Sequence, residues 1–312
     1  MIKIERDFDK LANAHYHILK DDLLLKIDNG KNYDISAKKF IPLIEEDRHK
    51  KWLKFLLKEI IISKPERLLK IYRIFEGQFP KTDYRKIFDY KKFTNKVEKG
   101  YDGYELAKRL NIRTCCYCNR NYTTTVISKK DKISRPQFDH FYYKKKYSLL
   151  ALSFYNLIPS CNICNSTLKG EKDYDILHPY IDDSINIFEF KAIPQNITTL
   201  LNVNDDFRIE YNVLEQSNPL SPKLKKSIDL FKLKEIYASN GNEIKDLFMM
   251  RYKYSNKYLE ELEKMTKGKF TKEELYRLAF GTEINSVNFE NRPLSKLKKD
   301  ILIELGIIKK IK

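Results

Sequence analysis

Residues 114–122 read TCCYCNRNY, residues 138–147 read FDHFYYKKKY, and residues 151–170 read ALSFYNLIPSCNICNSTLKG. All five cysteines of the chain lie in the first and last of these stretches: Cys115, Cys116 and Cys118, then Cys161 and Cys164. Zinc prefers four ligands in a tetrahedron, and two thiolates two residues apart can supply one edge of it. One C-x-x-C pair could be a redox motif. Two of them, Cys115–Cys118 and Cys161–Cys164, argue for a structural zinc. The pairs are separated by 42 residues, too many for a simple zinc ribbon, so something folds between them. Cys116 reads as a small packed side chain, although the spacing alone also lets it replace Cys115 or Cys118. A closed four-thiolate site does no chemistry itself; it holds something else in place.

Between the pairs, residues 122–128 are β-branched and predict a strand. A charged turn at residues 129–131 leads to a second short strand ending near Asp139. Residues 165–170 predict a short helix or turn. The expectation is strand, strand, helix within residues 111–180. Upstream, residues 1–110 read mainly as helical, with helices over 50–63, 66–75 and 102–110 and a break at Pro65. Downstream, residues 181–312 begin with strands over 186–193 and 207–213. Helices follow over 223–233 and 242–265. A last helix has Ser295 as N-cap, Leu297, Ile301 and Leu305 on one face, and Gly306 as stop. The expected fold class is α+β and mostly helical. Its three regions are a helical one (1–110), a zinc-stapled core (111–180), and a small β element followed by helices (181–312).

The bulk composition is that of an ordinary globular chain, 42% hydrophobic. No run approaches the roughly 18 apolar residues of a membrane span, and residues 1–20 lack a signal-peptide core, so we expect a cytoplasmic protein without a membrane partner. Lys and Arg total 60 against 43 Asp and Glu, a net charge of +17. Such a field attracts polyanions, although a chain this rich in Lys, Ile, Asn and Tyr also gains charge from compositional bias alone.

The ordered set of C-x-x-C, Asp139-His140, Asn156-Leu157, C-x-x-C followed by Asn165, and Lys169-Gly170 resembles the HNH nuclease family, whose core is the ββα-metal fold. The match covers about a fifth of the chain. The resemblance implies roles position by position. His140 would be the general base, and Asn156 would orient its loop. Asp139 and Asn165 would hold a catalytic Mg²⁺ or Mn²⁺, with Asn165 making this an HNN variant. Hard oxygen donors of that kind suit such ions, and an imidazole can take a proton from water near neutral pH. The loop residues Tyr142, Lys144, Lys145 and Lys146 interleave aromatic and basic character, as contact with DNA, or with RNA, would require. Lys169 could touch phosphate, its plainer reading being a surface lysine. His178 could approach the metal or a phosphate, its plainer reading being local packing. His15 and His17, spaced for one strand face, and His49 read as surface residues.

The wider pattern is similar to HNH subunits of Septu-type and retron-linked anti-phage systems, with residues 292–297 (RPLSKL) as a further echo. That similarity implies an ATPase partner. A stand-alone restriction or homing endonuclease, and a non-catalytic zinc-stapled nucleic-acid-binding module, are the alternatives.

Overall fold

A computed structural model describes the chain except residues 1, 3, 30, 35–38, 43–46, 81, 96–99, 130, 172, 254–260, 262–263, 266–268 and 309–312. It is α+β, about half helical, with small antiparallel strand pairs. None of the described helices is long and apolar enough to cross a membrane.

Helix α1 (Phe8–Asn29) buries Phe8, Ala12, His15, Leu19, Leu23 and Ile27, a three-and-four spacing that lays one stripe against α2 (Asp47–Ile62). His15 and His17 therefore sit on a helix, not on a strand. Two residues apart on a helix they face different ways, and His15 is buried while His17 is exposed. Strands β1 (Lys31–Asp34) and β2 (Lys39–Pro42) pair between α1 and α2, in a region expected to be mainly helical. Pro65 opens α3 (Pro65–Gln78) at the first helical position, where its missing N–H costs nothing. His49, expected at the surface, stacks on Phe79 with ring centroids 3.7 Å apart and hydrogen-bonds Tyr84. Two short helices complete this region. Asp89 caps α4 (Tyr90–Thr94), and Asp102 caps α5 (Gly103–Leu110) by accepting from the Tyr104 and Glu105 amides.

The central region departs from the expected strand pairing. Only Val126–Ile127 of residues 122–128 form a strand (β3), and it pairs with β4 (Lys132–Ser134). The longer pair joins β5 (Gln137–His140) to β6 (Leu157–Ser160), which precedes the second cysteine pair and was not expected as a strand. Both faces of β6 are buried, so it shows none of the polar alternation that marks a half-exposed strand. The expected helix at 165–170 is a π-helix, Ile163–Lys169, and begins inside the cysteine pair. The order is thus strand, 16-residue connection, strand, helix, with the helix packed on β5.

Strands β7 (Phe188–Pro194) and β8 (Phe207–Val213) form a hairpin closed by α6 (Ile197–Leu200). The expected helix over 223–233 divides into α7 (Ser221–Leu230) and α8 (Leu233–Ala238), with Lys232 left-handed between them. Helix α9 (Gly241–Lys253) begins the stretch expected to run to residue 265, part of which lies outside the described residues. Helix α10 (Lys272–Phe280) starts with a Thr271–Glu274 capping box. In α11 (Ser295–Glu304), Ser295 is the first helical residue and not the cap; its hydroxyl donates to the Arg292 carbonyl. Leu297 and Ile301 are fully buried as expected, each contributing roughly 1.5–3 kcal/mol, and Gly306 at φ +68° follows the end. Asp300 and Glu304 of α11 accept the Phe190 and Ala192 amides, occupying an edge of β7 that would otherwise stand unpaired.

Candidate active site and metal centre

Two knuckles bring the cysteines together. At the first, the Cys115 amide donates to Asn121 (3.0 Å), the Asn119 amide donates to Cys115 (2.8 Å), and the Arg120 amide points at Cys118 Sγ (3.5 Å). Asn119 adopts φ +49°, a left-handed conformation that asparagine tolerates. Distant segments fix this turn. Asn119 Nδ2 donates to the Phe289 carbonyl, the Leu294 amide to the Asn119 carbonyl, and Tyr237 Oη to the Cys118 carbonyl. At the second knuckle the Asn165 amide donates to the Cys161 carbonyl. The Sγ atoms of Cys115, Cys118, Cys161 and Cys164 all lie within 4.8 Å of one another and are buried. Zinc–sulfur bonds of about 2.3 Å give tetrahedral edges of about 3.8 Å, and Cys118 to Cys161 is 4.0 Å. The donor set and its spacing fit a structural zinc. Cys116 is a fifth buried thiol outside the cluster, pushed up in pKa by burial.

Strand β5 carries the next layer. Its two-residue alternation sends Gln137 and Asp139 toward the π-helix, and Phe138 and His140 toward α4. Asn165 Nδ2 and Ser166 Oγ both donate to Gln137 Oε1 (2.9 and 3.2 Å), while Gln137 Nε2 donates to Asn162. These bonds orient the Asn165 amide so that its Oδ1, the atom a hard cation would take, stays out of them. Asp139 is 2% exposed and accepts from Tyr117 Oη (2.6 Å) and Lys169 Nζ (3.1 Å). Burial raises its pKa, opposed first by the Lys169 charge and then by the Tyr117 hydrogen bond. Lys169 also donates to the His140 carbonyl at 2.7 Å. The expected surface lysine is therefore an interior counter-ion of Asp139, placed there because its helix packs on β5.

His140 packs edge-on against Tyr90, ring centroids 4.3 Å apart, and its Nε2 lies 3.0 Å from the Ala151 carbonyl. A carbonyl only accepts, so Nε2 bears the proton and Nδ1 keeps its lone pair. Burial lowers the imidazole to about 3, so the ring is neutral at ordinary pH. Asn156 is fully buried. It accepts from the Tyr142 amide (2.6 Å) and donates to the Tyr142 and Leu150 carbonyls (3.2 and 2.9 Å). It thus ties the connection after His140 back to the start of β6. Asp139, His140 and Asn165 line one cleft of about 390 Å³, together with Tyr90, Arg135 and Lys144.

The loop lysines divide. Lys144 lines the cleft and lies over the Tyr90 ring. Lys145 pairs with Glu171 (2.6 Å) and Lys146 with Asp173 (3.2 Å), so the run at 144–146 presents less free charge than its sequence implies. Tyr142 is an anchor, not an open stacking face: its ring meets Phe141 and Tyr147, and its hydroxyl donates to the Pro65 carbonyl. His178 packs locally, with Nε2 2.8 Å from the Tyr155 carbonyl.

Tyr117, Tyr90 and Gln137 were missed from sequence. Gln137 was findable, being two residues before Asp139 on the same strand face. No spacing marks Tyr117 or Tyr90. An Asp and an Asn offer hard oxygen donors of the right kind for Mg²⁺ or Mn²⁺, and each carboxylate oxygen of Asp139 accepts one side-chain hydrogen bond with lone-pair capacity left. Comparison of the chain with protein-family models, with curated proteins and with solved structures finds no match.

Proposed function

We propose that the chain is a metal-dependent endonuclease of the HNH type, hydrolysing phosphodiester bonds with DNA as the favoured substrate. The observation that carries this is His140: its Nε2 is committed to a backbone carbonyl, which leaves the Nδ1 lone pair unprotonated in a residue that lines the same cleft as Asp139 and Asn165. Such a base accepts the proton of the attacking water. Asn156 keeps it in place by fixing its loop. Asp139 and Asn165 would hold Mg²⁺ or Mn²⁺, which when bound neutralises charge on the phosphate and the departing oxygen. The zinc staple sets the register of β6 and the π-helix on which Asn165 stands.

The role in an anti-phage system, with an ATPase partner restraining the nuclease, rests on the sequence resemblance and belongs to the same proposal. Co-purification from the native host tests it: a fully active monomer without a partner would remove it.

A second reading has its own support. Both Asp139 oxygens already meet donors, Tyr117 and Lys169, as they would in a zinc-stapled nucleic-acid-binding module that cuts nothing. Incubating plasmid, single-stranded DNA and RNA with wild type and His140→Ala, with Mg²⁺, Mn²⁺ or EDTA, separates the two. Metal-dependent cutting that falls by about 100-fold or more in the variant is the expected result; cutting equal in both proteins would refute the role of His140.

A further inference from the structure

Beside the cleft that holds His140 lies a second, of about 520 Å³, and Arg135 and Gln137 line both. None of the side chains lining the second cleft is acidic, and most are hydroxyls or amides, the others being Arg135, Pro136 and Cys161. Two of its hydroxyls are buried without a hydrogen-bond partner among the described residues: Ser160 Oγ, fully inaccessible, and Thr123 Oγ1, in a residue 8% exposed. Buried hydroxyls are normally satisfied, so two unmet ones in residues that line the same hollow leave hydrogen-bonding capacity just behind its wall. Tyr122, on its rim, is 62% exposed.

Arg135 is seated at the junction. Its Nη1 donates to the Pro136 carbonyl and its Nη2 to the Thr94 carbonyl, and its guanidinium lies over the Tyr104 and Phe138 rings. Gly103 admits it: a Cβ there would come within 3.1 Å of Arg135 Nε. Among the described residues no carboxylate forms an ion pair with it, and Nε is a third buried polar atom without a partner. A fixed, uncompensated cation thus sits between a cleft suited to phosphate chemistry and a neutral cleft of hydroxyls and amides.

We infer that the second cleft is a nucleoside subsite, taking the unstacked base and sugar next to the phosphate held in the first cleft. This rests on the nuclease reading for the identity of that phosphate. Hydroxyls and amides match the donors and acceptors on base edges, and Tyr122 offers a ring for the base to stack on. An unstacked base requires that the strand be single or locally opened. The site therefore confers a base preference beside the cut, set by the exposed amides of its lining, Asn162 among them.

The test uses the full-length, zinc-loaded protein without added Mg²⁺. Binding of the four nucleoside 5′-monophosphates is followed by NMR and compared with ribose 5-phosphate and inorganic phosphate. The expected result is unequal binding of the four, each tighter than ribose 5-phosphate. Tyr122→Ala should weaken them by about 5- to 150-fold, the range of one base stacked on one aromatic ring. Asn162→Ala removes an exposed amide from the lining, so it should alter the order of preference while leaving the melting temperature nearly unchanged. Equal binding of all six probes, or binding indifferent to Tyr122→Ala, overturns the inference. Base-dependent binding by a protein that cuts no substrate would keep the subsite and remove the nuclease reading. Cutting without base-dependent binding would do the reverse.

Discussion

Lys169 and Asp139 show how much depends on one buried pair. Each is 2% exposed, and each ion's desolvation is offset only by its partner and the hydrogen bonds around it. Lys169→Met leaves the carboxylate buried without its counter-charge and should cost about 3–5 kcal/mol in denaturant unfolding. If Asp139 is also a cation ligand, Mg²⁺ in millimolar amounts should recover part of that loss in the variant and stabilise wild type far less. A variant indifferent to Mg²⁺ would show that the carboxylate serves the fold alone. The contrast with His140 explains what was legible at this scale. Asp139-His140 could be read because the two residues are adjacent in an ordered set of motifs. The position of Lys169 could not, because it depends on the π-helix seating its last turn against β5, and a lysine in sequence looks solvated by default. His15 was misread for the same reason: helix α1 buries it between Tyr101 and the Leu152 carbonyl.

At the scale of elements, the cysteine knuckles were legible because ligand spacing is a local property. The partner of β5 was not, because pairing is settled by a strand 16 residues further on whose side chains are all buried. The π-helix follows from no pattern in the sequence. Its wide turn, with the Gly170 amide reaching back to the Asn165 carbonyl at 2.9 Å, presents Asn165 and Lys169 to the same strand. The cluster geometry makes a discriminating prediction about the cysteines. Cys116→Ser should retain one zinc per chain by elemental analysis, since its thiol is outside the group of four. Serine at 115, 118, 161 or 164 should lower zinc occupancy and unfold the knuckles. Because the Asn119 side chain and the Cys118 and Cys116 carbonyls are tied to residues 289, 237 and 2, chelating the metal should loosen segments far from it, seen as faster amide exchange in α8 and in residues 289–294. Zinc loss in Cys116→Ser equal to that in Cys118→Ser would reassign the ligand set.

Over the whole molecule, the chain keeps several imidazoles inside. Burial lowers His15 and His178 to about 4, and each makes its hydrogen bonds as the neutral ring. The unfolded chain holds them near the ordinary value of about 6.5. Between those limits the unfolded state binds more protons than the native one, so stability is fully present above pH 6.5 and is lost as the pH falls toward 4. Each fully titrating imidazole contributes a slope of about 1.4 kcal/mol per pH unit, so the pair gives nearly 3. Asp139, Asp300 and Glu290 act with opposite sign, because burial raises their pKa values and the native state then retains protons the unfolded chain has released. The histidine contribution is isolated by comparing wild type with His15→Gln. Glutamine preserves hydrogen bonding without titrating, and its unfolding free energy should vary less between pH 7 and pH 5 by about 2 kcal/mol. NMR of the imidazole carbons supplies the direct check. The His15 and His178 rings should remain neutral at pH 5, and a midpoint near 6.5 for either would mean that its burial is relieved in solution.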